Sequence, residues 1–310
     1  MYFNIIAIQE GGNRKNDVLR DLCAVESSSD FGLSPPALWI GFPLADGRDV
    51  RVQALLAAPI PLSELITMAL VPVGGSYDRS EPLRGYAICT FGRSGSNWLN
   101  EVLSSTGALG HPLEYFNLEA RRRLTDPEYP EDPAAQINEI LTRGATANQV
   151  YGLKVFPGHL AAIGDRVEWT RSLPNLRLIR WTRRDLLGQA LSLYCASRTA
   201  QWRSWETPQG TAHYDGPAIL AALKGVIREN ARWDLFFARS GPPALALDYE
   251  TTLLDPQATA DAIAAMLELD EPPNIRPSAI TLKVQRDETT VVWRERFLEA
   301  YGNPDSFEDL

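Results

Sequence analysis

The chain has 310 residues, 45% of them hydrophobic, enough for one sizeable core or a core with a small appendage. Its net charge of −9 and isoelectric point near 5 exclude a general nucleic-acid binder with a basic field, though not a local basic pocket. Cys23, Cys89 and Cys195 are too scattered for a disulfide framework, and His111, His159 and His213 lack metal-ligand spacing. The most apolar window, Val52–Val73, is interrupted by Pro59, Pro61, Ser63 and Glu64 and makes a poor membrane span. With no basic, apolar leader at the start, the expected location is the cytoplasm.

Residues 1–80 differ in texture from the rest. A strand at Phe3–Ile8 precedes a polar stretch, then Asp30–Pro43 with three prolines, a strand at Val50–Ala57 and a helix at Leu62–Leu70. Gly74-Gly75-Ser76-Tyr77-Asp78 reads as a linker. No chemical motif occurs here, and the apolar content is too high for a solvated tail, so a small docking subdomain over 1–80 is expected.

From residue 85 strands alternate with helices. Tyr86–Phe91 is a strand, Gly92–Ser96 a turn of small polar residues, and Trp98, Leu99, Val102 and Leu103 the apolar stripe of a helix ended by Gly107. Asp132-Pro133 starts a helix to about Leu141, followed by a strand at Val150–Phe156. A third strand, Leu176–Trp181, leads through Thr182-Arg183-Arg184-Asp185 into a helix with Leu187, Leu191 and Tyr194 on one side. Pro217 opens a long helix, Ala244–Leu247 is a fourth strand, Asp255-Pro256 caps a helix to about Leu267, and Val291–Tyr301 is the last helix. The pattern predicts an α/β fold over 81–310, a parallel sheet covered by helices on both faces, with the N-terminal segment as a small appendage. Ligands of such sheets bind at the carboxyl ends of the strands, where the Gly92–Ser96 turn and the Arg183-Arg184 pair both lie.

Strand, glycine–serine turn and helix present backbone N–H groups to an anion, although the same sequence also serves as a plain connector. A nucleoside triphosphatase P-loop needs Gly-x-x-x-x-Gly-Lys-Ser/Thr. Arg93-Ser94-Gly95-Ser96-Asn97 is shorter and lacks the lysine, and no strand ends in an obvious acidic magnesium ligand. Arginine and small hydroxyls without an acid suit an anionic donor bound without metal. Of the 30 basic residues 26 are arginine, whose planar fork suits oxyanions.

TFGRSGSNWLNEVLSSTGALGHPLEYF resembles the opening signature of the Stf0-type sulfotransferases. VYGLKVF, LIRWTRRDLLGQALSLYCASRTAQWRS and LKVQRDETTVVWRERF fit the same family, so the resemblance extends over roughly residues 84–302. It implies a P-loop-like sheet, 3′-phosphoadenosine 5′-phosphosulfate (PAPS) as sulfuryl donor, a carbohydrate or glycolipid hydroxyl as acceptor (a trehalose-like sugar among them), no metal, and a homodimer. Carried over by position, Arg93, Ser94, Gly95, Ser96, Asn97 and Trp98 would cradle the 5′-phosphosulfate. Arg184 and Ser192 match the arginine and serine that hold the 3′-phosphate, with Arg183 sharing the load; Arg286, near Lys283, matches a late basic contact. Glu114 occupies the position of the family's base, with His111 as rival, and Lys154 at a strand end is either a second charge stabiliser or a snorkelling lysine. Trp202, Trp205 and Tyr214 form an acceptor wall or rim packing. The chain departs from the family at Gly92, where proline or glutamine is frequent, at Asn97, where threonine is common, and at Ala200, which replaces a glycine. Two other readings fit the same residues: a kinase-like P-loop phosphotransferase, and an inactive nucleotide- or glycan-binding relic.

Overall fold

The computed structural model describes residues 4–11, 37–43, 49–55, 82–124, 126–282 and 288–307, with side chains described over 82–124, 126–282 and 289–307. The expected helix Leu62–Leu70, the Gly74–Asp78 linker, Cys23, Lys283 and Arg286 lie outside the described residues. The chain divides into two compact units, Met1–Pro72 and Val73–Leu310. In the first, β1 (Asn4–Gly11), β2 (Ala37–Pro43) and β3 (Asp49–Leu55) form an antiparallel sheet with β3 in the middle. β1 and β3 fall on the expected strands. β2 was hidden in the proline-containing stretch: Pro35 and Pro36 precede it and Pro43 is its last residue, so the prolines bound the strand instead of breaking it.

The second unit holds four parallel strands, β4 (Arg84–Cys89), β5 (Val150–Val155), β6 (Leu176–Thr182) and β7 (Ala244–Asp248), in the order β5-β4-β6-β7. Around them lie α1 (Ser96–Ser105), α2 (Leu118–Leu124), α3 (Pro133–Thr142), α4 (Pro157–Ile163), α5 (Trp169–Ser172), α6 (Leu186–Thr199), α7 (Gly216–Ser240), α8 (Tyr249–Leu254), α9 (Pro256–Met266) and α10 (Glu288–Tyr301). Alternation along β4 decides which helices cover which face. Tyr86 and Ile88 pack with Leu99 and Leu103 of α1 and Ile263 of α9. Ala87 and Cys89 pack on the opposite face with Ile137 and Ile140 of α3 and Trp233 of α7. The doubly covered parallel sheet is thus as expected.

Asp132, Asp215 and Asp255 each accept a backbone N–H at the starts of α3, α7 and α9, with a proline in the first turn. The helices not anticipated, α2, α4, α5 and α8, are seven residues or shorter, too brief to display a helical period. β4 stops at Cys89, two residues early; the Thr90 amide still donates to the Val155 carbonyl (3.1 Å), and the chain then enters the turn. β4 has β5 on one side and β6 on the other. Its carboxyl end is therefore a switch point, where the chain crosses in opposite directions and a crevice opens. Among the described residues no helix is long and apolar enough to cross a membrane.

Candidate active site

The turn after β4 is held from behind by its carbonyls. Trp233 Nε1 donates to the carbonyl of Thr90 (2.8 Å), Gln189 Nε2 to that of Gly92 (2.8 Å), Arg183 Nη1 to that of Arg93 (3.2 Å) and Trp181 Nε1 to that of Ser94 (3.0 Å). An anion is repelled by carbonyl oxygens and attracted by amides, so a turn whose carbonyls are tied to the scaffold leaves its amide side for a ligand. Arg93 and Gly95 adopt left-handed backbone at φ 62° and 82°. A Cβ at Gly95 would sit 2.3 Å from the Tyr249 ring, so this glycine is required by its torsion and by its neighbour. Gly95 is also the N-cap of α1 and offers no side-chain cap, leaving the first-turn amides without that partner. The Thr90 and Ser94 hydroxyls share a hydrogen bond of 2.9 Å.

Beside the cradle, the segment that follows Gly110 runs along β5. Leu113 bridges Leu153 in parallel fashion, and the Lys154 amide donates to the Leu113 carbonyl (2.9 Å). This pairing puts Glu114 next to Lys154, whose Nζ lies 2.9 Å from Glu114 Oε1. Lys154 also donates to Asn97 Oδ1 at the start of α1. Asn117 Nδ2 donates to Glu114 Oε2 (2.8 Å), and His159 Nε2 stands 3.8 Å from the same oxygen. Lys154 is only 3% exposed and Glu114 20%. Burial alone would raise the Glu114 pKa, but Lys154, His159 and the Asn117 hydrogen bond overcome it and hold the carboxyl down at about 2. Burial pulls the Lys154 ammonium below its usual value, Glu114 opposes this, and Arg203 and Arg121 add to the lowering. The contact with an ionised carboxylate keeps the pair charged.

On the other flank, Arg93 Nε donates to Ser192 Oγ on α6 (2.8 Å), and Arg93 Nη1 donates to the Trp202 carbonyl. Arg183 lies over the Tyr249 ring (5.4 Å), and its Nε is buried without a hydrogen-bond partner. Arg184 is 63% exposed and pairs with Asp248 (3.2 Å) and Glu250 (3.7 Å).

A sequence model of the Stf0 sulphotransferase family matches residues 85–300. The chain belongs to that family. Two relatives are trehalose 2-sulfotransferases. That of Mycobacterium tuberculosis (strain ATCC 35801 / TMC 107 / Erdman) is 24% identical over 258 residues, 70% of this chain and 96% of the relative. That of Mycolicibacterium smegmatis (strain ATCC 700084 / mc(2)155) is 25% identical over 256 residues, 68% of this chain and 93% of the relative. Membership makes the protein a transferase and sulfuryl transfer its reaction class.

Within this Stf0 member, the described residues among those expected at the donor lie on the turn after β4 and the start of α1, in the loop after β6 and on α6, but with different pairings. Ser192 bonds to Arg93, while Arg184 turns to Asp248 and Glu250. Asn97, the departure at the second position of α1, is the link to Lys154. Glu114 and Lys154 are adjacent; the His111 carbonyl accepts from the Tyr115 hydroxyl (3.0 Å), and burial lowers the His111 imidazole pKa. Of the aromatic trio, Trp202 adjoins Arg93, Trp205 lies under Arg203 (5.4 Å), and Tyr214 lines a separate cavity of about 720 Å³ with Tyr194, Arg198 and Arg296. Sequence reasoning missed Trp181, Trp233 and Gln189, which read as ordinary core and helix residues, and His159, which carried no motif. Only the Pro-x-His directly after the Lys154 strand could have marked His159. Among the described residues no group of three or more His, Cys, Asp or Glu could hold a metal ion.

Proposed function

We propose that the protein transfers the sulfuryl group of PAPS to a hydroxyl of a carbohydrate or glycolipid, with a trehalose-like sugar the first acceptor to test. The observation that carries this reading is the continuous chain Asn97–Lys154–Glu114, which joins an anion cradle to a half-buried carboxylate. We place the activity in residues 81–310, on a P-loop-like sheet, and treat residues 1–80 as a docking subdomain. The donor is an anion of several charges, and the residues present suit it: amides freed by tied carbonyls, and the buried Arg183 Nε without a partner.

Arg93, Ser94, Gly95, Ser96, Asn97 and Trp98 would hold the 5′-phosphosulfate. Ser192, Arg184 and Arg183 would hold the 3′-phosphate, with Arg286 as a late contact. Because Ser192 is already bonded to Arg93, a phosphate at that hydroxyl would meet a guanidinium too. The acceptor oxygen forms its bond to sulfur in line with the bond that breaks to the bridging phosphate oxygen, and the hydroxyl proton passes to Glu114. By analogy with phosphoryl transfer the transition state is loose, so positioning and charge stabilisation by Arg93 and Lys154 do most of the work. Lys154 has a second consequence. As its ammonium turns toward the sulfuryl group, Glu114 loses its closest cation and becomes more basic at the moment a base is needed. The reading needs no metal ion. Family precedent makes a homodimer the expected state, which light scattering measures directly.

The test is labelled PAPS incubated with the protein and either trehalose or crude cell extract, followed by mass identification of the labelled product. A sulfated sugar or glycolipid is expected. ATP turnover abolished by EDTA would instead support the kinase-like reading. Tight binding of adenosine 3′,5′-bisphosphate without transfer to any acceptor would support the relic.

A further inference from the structure

His159 stands beside Glu114 at this site. Phe156 leaves β5 and precedes α4, and the His159 ring stacks on it at 4.7 Å with planes 19° apart. The Phe156 amide donates to His159 Nδ1 (3.3 Å). A neutral imidazole has one proton, and with Nδ1 accepting, that proton sits on Nε2. Nε2–H therefore faces Glu114 Oε2 across 3.8 Å, too far for a hydrogen bond between them. The groups facing the ring are Glu114 and Lys154, while Arg232 of α7 reaches the Pro157 carbonyl (3.4 Å) and pairs with Glu229 (3.0 Å). Burial lowers the His159 pKa, Glu114 opposes this and Lys154 adds to the lowering, which favours the neutral imidazole. Stacking and the backbone bond account for a histidine that only packs. They do not account for a donor edge aimed at a carboxylate from beyond bonding distance.

We propose that His159 and Glu114 read adjacent hydroxyls of the acceptor, the reacting one donating to Glu114 Oε2 and its neighbour accepting from His159 Nε2–H. The inference rests on the proposed sulfuryl transfer and narrows its acceptor class to vicinal diols, the pattern of a sugar ring. A donor and an acceptor this closely spaced reach two neighbouring hydroxyls at once. Leaving the hydrogen bond from His159 to the neighbour keeps the reacting oxygen's lone pair free for sulfur. In the step, the acceptor oxygen bonds to sulfur and the bond from sulfur to the bridging phosphate oxygen of the nucleotide phosphosulfate breaks. Its electron pair leaves on the phosphate, the hydroxyl proton goes to Glu114, and His159 keeps its proton throughout.

Spectroscopy, nucleotide binding and acceptor kinetics on the full chain test this. Long-range ¹H–¹⁵N spectra at pH 7, with the His159 signals assigned from H159Q, should show a neutral ring protonated at Nε2; an Nδ1–H tautomer or an imidazolium overturns the proposal. With PAPS as donor, His159→Ala should raise the acceptor KM for trehalose about 10–100-fold and leave the dissociation constant of adenosine 3′,5′-bisphosphate unchanged. His159→Gln, whose amide also offers a donor, should recover most of that loss. Wild type should prefer trans-1,2-cyclohexanediol to cyclohexanol in kcat/KM, and the preference should collapse in His159→Ala. An unchanged KM, or a preference that survives the substitution, overturns the proposal. The Glu114 reading fails separately, by full turnover in Glu114→Gln while the His159 effects persist. Transfer to neither trehalose nor the diol, with the nucleotide bound, overturns the acceptor reading and this inference together.

Discussion

Glu114 and Lys154 form one electrostatic unit, and neither can be removed alone without exposing the other to burial. Glu114→Ala should lower turnover by about 10²–10⁴ with donor affinity nearly unchanged. It should also lower stability by about 3–5 kcal/mol, because Lys154 is left buried without its counter-ion. Adding Lys154→Met should restore most of the stability and none of the turnover. Thermal denaturation beside a labelled-PAPS assay separates the two effects, and unchanged turnover in Glu114→Ala would move the base elsewhere. Arg184 is the opposite case. It is largely exposed and its ion pairs with Asp248 and Glu250 contribute little to stability. Arg184→Ala should therefore weaken donor binding by about 1.5–3 kcal/mol while leaving the unfolding midpoint unchanged. Calorimetric titration with adenosine 3′,5′-bisphosphate reads this, and an unaltered dissociation constant would remove Arg184 from the donor site.

The decisive element is the turn between β4 and α1. Its amide side was legible from small residues between an apolar strand and an amphipathic stripe. Its carbonyl side was not, because the donors come from β6, α6, α7 and the Arg183 loop, roughly ninety residues or more away in sequence. Gly95 is where the two sides meet. Gly95→Ala places a Cβ 2.3 Å from the Tyr249 ring at φ 82°. It should cost about 1–3 kcal/mol in backbone strain alone and abolish tight nucleotide binding. Urea denaturation and calorimetry together check this. Full nucleotide affinity in the variant would show that the cradle tolerates displacement of α1.

At the scale of the molecule, the half-buried carboxylate beside Lys154 ties stability to pH. Glu114 has a folded pKa of about 2 against an ordinary value of 4.5, so the folded state favours its ionised form. The stability this adds is fully present above the unfolded value and is lost as pH falls from there toward 2. Chemical denaturation between pH 6 and 3 should show this loss in wild type, and a smaller one in the Glu114→Gln, Lys154→Met pair. Equal acid sensitivity in both would place the responsible carboxylates elsewhere. The sequence by itself determined the alternation of strands and helices, the caps at Asp132 and Asp255, and the glycine and serines of the turn after β4, because each is a local pattern of period, cap or turn. It also brought Glu114 forward through its family position and Lys154 through its place at a strand end. Only the tertiary structure decided the partnerships: Ser192 with Arg93, Arg184 with Asp248 and Glu250, Asn97 with Lys154, and His159 facing Glu114. Parallel strands bring together residues far apart in the chain, and which charged and polar groups then meet depends on register and side-chain direction, which no local pattern encodes.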